Sequence, residues 1–482
     1  MSFLSLPFAL FVGATAAVFQ LAPGRFRPAV LLAASYAFYA SYRPAHALLL
    51  LAVTLVVHRA ALAVEGRGAE GGQLRLVGAV VAGLVLLLAA FKVASALPGW
   101  SGASPGSEGV ASRVLVPLGL SYYLFKLIGY LLDVYWETVP AQRSVVALAL
   151  YASFFPQIVS GPIERAGNFF DQLSRLPNLD PASVEAGLRR ILFGLFQKIA
   201  VADRLAPLVE AVHARPAAHS SLELLLGAYL YAVELYADFS GLTDIAIGLG
   251  LLFGIRGPEN FDLPFFARNL PEYWRRWHMS LTSWLADYLF TPLRMALRDR
   301  GDLGLALAVL VNMVAIGVWH GATLTYAAFG LLHGVLMVIS VFTLRRRDAY
   351  FRLHPALARL RKVAAPLGTF HLVAAALIFF RASSLGRALE YFSHLVPGLA
   401  AGGIPPGRLD FRDLGVQPGA LAGILLLAGA MELANWARRR PHWSQRFLAA
   451  PRVYRWALYY GVILVTLAVG HLGEQTFIYA QF

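Results

Sequence analysis

Leu303-Gly-Leu-Ala-Leu-Ala-Val-Leu-Val-Asn-Met-Val-Ala-Ile-Gly-Val-Trp-His-Gly321 decides the fold class of this chain. From Leu303 to Val318 the only polar side chain is Asn312. A run of about 20 such residues crosses the hydrocarbon core of a bilayer. Lipid offers backbone N–H and C=O groups no partner, so a run of this kind folds as a helix. It closes on Trp319 and His320. Ionisable side chains inside a membrane are costly and mark function, and a neutral imidazole in such a place can accept a proton as a general base. The plainer reading is a histidine hydrogen-bonded between helices. Gly321 leaves room beside the ring for a substrate or another backbone. His333 follows thirteen residues later in Leu-Leu-His-Gly and on a continuous helix would face nearly the opposite way; it reads as structural.

The same grammar extends outward over the chain. Of its 482 residues 58% are hydrophobic and 14% charged, with a mean hydropathy of +0.61, where soluble proteins carry about 25% charged residues. Hydropathy predicts spans at 4–23, 28–43, 45–64, 75–97, 114–135, 144–160, 187–209, 221–237, 240–255, 303–322, 324–344, 366–382, 419–437 and 454–473. Not all need cross, because 28–43 is short and 187–209 carries Arg189, Arg190, Lys198, Asp203 and Arg204. The expectation is an all-α polytopic membrane protein with roughly 11–13 transmembrane helices plus re-entrant or amphipathic pieces. It forms a single integral-membrane domain over 1–482, with a core at about 114–344 and C-terminal helices over 366–482. The 4–23 run has neither a basic flank before it nor a small-residue cleavage site, so it reads as a retained helix, not a signal peptide.

Cysteine is absent, which removes disulfides, thiolate metal ligands and a cysteine acyl-enzyme. The net charge of +14 is spread over the loops between spans. That pattern reads as a positive-inside bias beside anionic lipid, not as a nucleic-acid surface. The loops Arg345–Lys362 and Arg438–Arg452 are strongly basic, whereas Ser383–Pro418 is nearly balanced; the first two are therefore placed in the cytoplasm and the third outside. The neutral Gly- and Ser-rich Pro98–Ser112 loop also reads as external.

Two polar islands interrupt the apolar pattern. Pro271-Glu-Tyr-Trp-Arg-Arg-Trp-His-Met-Ser-Leu-Thr-Ser-Trp-Leu-Ala-Asp-Tyr-Leu-Phe-Thr-Pro-Leu293 places Glu272, Arg276, Ser280, Ser283 and Asp287 at helical spacing, with Trp274, His278, Leu281, Leu285 and Tyr288 opposite. The spacing predicts one short amphipathic helix, re-entrant or interfacial. His278 there is a candidate site residue or a histidine hydrogen-bonded into an anchor. In the other island, Tyr236-Ala-Asp-Phe-Ser-Gly-Leu-Thr-Asp244, Asp238 and Asp244 need partners, for which the arginines around Arg275 are available. No histidine, aspartate or glutamate spacing resembles a metal site, and no metal is expected. There is no P-loop, dinucleotide fingerprint or Gly-x-Ser-x-Gly elbow.

Five stretches resemble, in order, the blocks of the membrane-bound O-acyltransferases in their bacterial polysaccharide-modifying branch. They are Phe154-Phe-Pro-Gln-Ile-Val-Ser-Gly-Pro-Ile163, Asp238-Phe-Ser-Gly241 with Thr243-Asp244, Tyr273-Trp-Arg-Arg-Trp-His-Met-Ser-Leu281, Val318-Trp-His-Gly321 and Leu377-Ile-Phe-Phe-Arg381 followed by Ala388. The resemblance implies a helical funnel around a tunnel, with His320 catalytic and His278 supporting. It implies acyl transfer from a cytoplasmic thioester, acetyl-CoA or a carrier-protein thioester, to a hydroxyl, with no bound cofactor. The acceptor would be an extracytoplasmic polysaccharide or a membrane-anchored or extracytoplasmic partner that relays the acyl group. Acyl carrier protein is a further possible partner. The location implied is the bacterial cytoplasmic membrane. Trp274, Arg275, Arg276, Trp277, Asp238, Ser240, Asp244, Asn312 and Trp319 are the expected supporting or substrate-binding residues.

Within that branch the alginate-acetylating and teichoic-acid D-alanylating types both share motifs with this chain. Pro258-Glu-Asn-Phe261 and Pro264-Phe265 resemble the second, so D-alanyl transfer is an alternative. Thr291-Pro-Leu-Arg-Met-Ala296 lacks the paired glycines usual after this block in the first. A polysaccharide exporter or proton-coupled transporter is the alternative of another class, but it predicts pseudo-symmetric halves that the sequence does not display.

Overall fold

The computed structural model describes residues 3–65, 71–96, 116–176, 178–400, 416–470 and 477–478, and every regular element among them is helical. Among the described residues seven helices are long and apolar enough to cross a bilayer: Pro44–Val64, Gly72–Ala96, Ser221–Leu252, Arg298–His320, Leu324–Leu353, Pro355–Arg381 and Pro418–Arg438; Leu6–Leu21 is a shorter apolar helix. The chain is an all-α, multi-pass membrane protein.

Several expected spans differ in their bounds, for local reasons. The 221–237 and 240–255 segments form one continuous helix, Ser221–Leu252. Its polar island is buried against partners instead of turning into water, and Gly241 is a point of close approach: a Cβ there would sit 2.8 Å from the Gly194 carbonyl oxygen. The 144–160 segment breaks into Val145–Ser153 and Phe155–Ile158. Pro156, which has no N–H for the preceding ladder, falls in the first turn of the second piece, where none is needed. The 187–209 segment becomes the helix Pro181–Leu195, a π-helical turn Phe196–Ala202 and the helix Asp203–Ala214. The basic Arg345–Lys362 stretch is mostly helical, an extension of Leu324–Leu353 and Pro355–Arg381. Ser383–Pro418 is not wholly a loop, since it contains the helix Leu385–Ala400. The Pro98–Ser112 loop lies outside the described residues.

The chain divides into two compact units, 1–191 with 243–258 and 479–482, and 192–242 with 259–478. In the first, Phe8, Phe11, Phe38 and Phe155 form an aromatic cluster, and Ser35 Oγ accepts the Phe155 N–H at 3.1 Å. Lys126, buried, donates to Gln157 Oε1 at 3.2 Å and lies 4.6 Å from the Tyr151 ring centroid. The Phe154–Ile163 block thus packs and satisfies the interior of this unit.

In the second unit the helices Gly301–His320 and Leu324–Leu353 form a tight hairpin. Gly317 and Gly330 make the crossing possible: a Cβ on Gly317 would lie 2.2 Å from the Tyr326 carbonyl oxygen and 3.0 Å from the Gly330 Cα. Beside it, Val212, Leu224, Ala228, Ile378, Tyr391 and Leu395 make an apolar cluster that docks Leu385–Ala400 against Ser221–Leu252. The Tyr391 hydroxyl donates to the Leu224 carbonyl.

Candidate active site

His320 is the last residue of its helix, after which Gly321 turns extended. His320 is 5% exposed. The Tyr326 ring occupies the space beside Gly321, where a Cβ would meet it at 2.5 Å.

His278 arrives by a different route. The predicted single amphipathic helix over 271–293 is broken. Leu270–Trp274 ends at Arg275, Met279–Leu285 begins afresh, and His278 between them holds φ +47°, ψ +50°. The left-handed region costs a residue with a Cβ about 1–2 kcal/mol. The loop Glu259–Asp262 supplies the compensating bonds. The Asp262 N–H donates to the Arg276 carbonyl at 3.0 Å, and the Met279 N–H to the Asn260 carbonyl at 2.9 Å. The Ser280 N–H and hydroxyl both donate to Asn260 Oδ1, at 3.2 and 2.6 Å.

The two imidazoles come together, with ring centroids 6.5 Å apart. Trp319 flanks both, at 5.7 Å from His278 and 4.8 Å from His320. Phe239 packs on His278 at 4.7 Å, and Phe380 on His320 at 4.9 Å, with Tyr326 at 6.3 Å. Four sequence blocks therefore meet in one aromatic pocket. Burial pushes the His278 imidazole down to about 3, so this ring is neutral at ordinary pH.

The remaining expected residues surround the pair at differing depths. Trp274 Nε1–H donates to His333 Nδ1 at 3.4 Å; His333 is fully buried and packs on Phe329, which in turn packs on Phe380. Trp277 lies among Tyr236, Phe261, Phe265 and Tyr273. Arg275 is exposed. Arg276 donates to Glu272 at 2.7 Å and to the Leu263 carbonyl at 3.4 Å. Asn312 sits eight residues before His320, about 12 Å along the helix axis.

The acids do not pair with the arginines around Arg275. Asp238 accepts from Lys198 Nζ at 2.7 Å and from the Ile478 N–H at 2.8 Å. Lys198 also meets Asp203 at 2.8 Å, with the Phe477 ring 4.7 Å away. All three charged groups are buried. Arg275 is held away by its exposure and Arg276 by Glu272, whereas the π turn brings Lys198 to the island. The Ser240 hydroxyl donates to Gln197 Oε1 at 2.5 Å, from the same turn. Asp244 belongs to the first unit, where Arg190 meets it at 2.6 Å. Among the described residues no three histidine, aspartate or glutamate side chains gather where a metal ion could be held.

Sequence reasoning passed over Phe239, Tyr326, Phe380, Lys198, Asp203 and Asn260 as members of the site. Phe239, Phe380 and Asn260 stood inside quoted motifs, and the cost of charge in an apolar segment was the available signal for Lys198 and Asp203.

A family model described as MBOAT, membrane-bound O-acyltransferase family, matches residues 140–378. The chain is 36% identical over 348 residues to "Probable alginate O-acetylase AlgI" of Azotobacter vinelandii, over 70% of this chain and 66% of the relative. It is 35% identical over 347 residues to the protein of the same name in Pseudomonas putida, over 70% of this chain and 68% of the relative. It is 31% identical over 315 residues to "Peptidoglycan O-acetyltransferase" of Helicobacter pylori, over 59% and 57%. The chain thus spans about two thirds of the length of the alginate-type relatives, and just under that for the first.

Proposed function

The chain belongs to the membrane-bound O-acyltransferase family, and from that premise we propose that it transfers an acyl group from a cytoplasmic thioester to a hydroxyl presented from the other side of the membrane. It is a multi-pass protein of the bacterial cytoplasmic membrane. The observation that carries the proposal is the meeting of His320 and His278, from separate sequence blocks, in one buried aromatic pocket.

In this reading His320 accepts the hydroxyl proton as the oxygen attacks the acyl carbonyl. The C–O bond forms, the C–S bond breaks, and the imidazolium returns the proton to the departing thiolate, so the base is regenerated. His278, its charged form disfavoured by burial, serves as a hydrogen-bonding partner to the acyl oxygen or the incoming hydroxyl. The indole of Trp319 lies against both rings and belongs to the same role. Aromatic walls exclude the water that would hydrolyse the thioester.

Acetyl-CoA is the proposed donor, on the strength of the O-acetylating relatives, and a carrier-protein thioester is the competing one. The acceptor is a polysaccharide hydroxyl or that of a relay partner. Exposed arginines between the spans, Arg275 among them, supply charge for an anionic donor. Purified protein given labelled acetyl-CoA, or a D-alanyl or acetyl carrier-protein thioester, tests the reading. Transfer to a hydroxyl acceptor that His320→Ala abolishes supports it. Thioester turnover unaffected by that substitution excludes it, and preference for the D-alanyl donor moves the assignment to teichoic-acid chemistry.

A further inference from the structure

We infer that Asn260 is a positioning residue for His278, acting as an N-cap supplied from outside the helix it caps. The first residue before a helix normally closes the free N–H groups with its own side chain. His278 holds that place before Met279–Leu285, and its side chain makes no capping bond. Asn260, fully buried and twenty residues before Ser280 in sequence, does the work instead. Its carbonyl takes the Met279 N–H, and its side-chain oxygen takes both the Ser280 N–H and hydroxyl. The imidazole of His278 is thereby released from local duty and packs on Phe239 and Trp319, facing His320.

The same contacts hold the chain in its left-handed conformation. A histidine at φ +47° persists only where its surroundings over-determine it. With the Asn260 side chain removed, the Ser280 N–H and hydroxyl lose their acceptor while the Met279 N–H keeps the backbone carbonyl of residue 260, and the cheapest remedy is for residue 278 to relax and cap the freed N–H itself. Loop and helix are tied at both ends of the turn, because the Asp262 N–H also holds the Arg276 carbonyl. Arg439 in turn fixes the loop, donating to the Phe261 carbonyl and facing Glu259 at 3.4 Å and Asp262 at 3.6 Å.

The kinetic arm of the test rests on the acyl-transfer reading, and the structural arm does not. Asn260→Leu keeps the shape and deletes the acceptor. It is expected to lower kcat about 10–100-fold at nearly constant donor KM, while Asn260→Asp, which retains an oxygen at the same place, recovers to within about threefold of wild type. In a His278→Ala background Asn260→Leu should add no further loss, since the two act as one unit. A cryo-electron microscopy structure of Asn260→Leu should show residue 278 out of the left-handed region and its ring withdrawn from Trp319. Losses that multiply in the double variant, or a His278 unmoved in that structure, overturn the inference even if acyl transfer is confirmed. Should Asn260→Leu fail to fold, Ser280→Ala deletes the 2.6 Å bond alone; a roughly threefold fall in kcat that vanishes in the His278→Ala background is then expected, and an unchanged kcat counts against it.

Discussion

His320 and His278 share a pocket under unlike constraints. His320 completes a regular helix without strain, whereas His278 is held in a conformation its own side chain disfavours. Replacing His320 by Ala should cut acyl transfer about 10²–10⁴-fold, the usual span for loss of a base, with size-exclusion behaviour in detergent unchanged; turnover at the wild-type rate would remove His320 from the mechanism. His278→Ala should slow turnover less. The neutrality of His278 also has a pH signature. Its imidazole titrates near 3 when folded, against 6.5 ordinarily, so between these values the unfolded chain binds the proton and the folded one does not. Stability from this group is complete above pH 6.5 and is lost as pH falls toward 3. At pH 5 the loss is on the order of 2 kcal/mol. Thermal denaturation in detergent from pH 7.5 to 5 should show a falling midpoint, with a shallower slope for His278→Phe; equal slopes would mean the ring protonates freely. Both histidines were legible in the sequence because ionisable groups stand out in an apolar chain. The left-handed turn was not, because helical periodicity runs straight through it and its cause, Asn260, lies in another segment.

Elements settle what single residues cannot. The π turn Phe196–Ala202 adds a residue to the helical register and brings Gln197 to Ser240 and Lys198 to Asp238. Asp238 precedes Phe239, the ring packed on His278, so the buried Lys198–Asp238–Asp203 set also anchors one wall of the pocket. Lys198→Met should leave two buried carboxylates without their cation, at a cost of about 3–5 kcal/mol. A large drop in the detergent melting point is expected, largely recovered when Asp238→Asn and Asp203→Asn are added; an unchanged midpoint in the single variant would show that the set contributes nothing. The hairpin crossing is a second such device. Gly317→Val would force the backbone of Leu324–Leu353 away, and His320, one turn further on, should move with it, so transfer should fall well before the fold is lost. Hydropathy located this hairpin correctly because each arm is a long uninterrupted apolar run. It cut Ser221–Leu252 in two because a window reads a polar island as a turn, blind to the partners that bury it.

At the scale of the whole molecule, sidedness and reach govern how an acyl group crosses. The basic extensions of Leu324–Leu353 and Pro355–Arg381 are proposed to face the cytoplasm, and Leu385–Ala400 the outside. The chain has no native cysteine, so a single one at Ala349 should resist an impermeant thiol reagent in intact cells and one at Ser393 should react, and the reverse pattern would invert the donor side. Reach follows from burial. His320 is 5% and His278 1% exposed, inside a collar formed by Trp319, Tyr326 and Phe380. Rings this deeply buried are reached more readily by a slender group bearing one hydroxyl than by a bulky polymer. The acyl group is therefore proposed to pass first to a hydroxyl on a separate extracytoplasmic or membrane-anchored partner, which delivers it to the polysaccharide. Protein reconstituted in sealed vesicles, with labelled donor inside and polymer outside, tests this. Without partner the label should stay off the polymer, and adding a partner that offers a hydroxyl at the outer face should restore transfer. Rapid polymer acylation by this chain alone would end the relay proposal while leaving the proposed role of His320 as base intact.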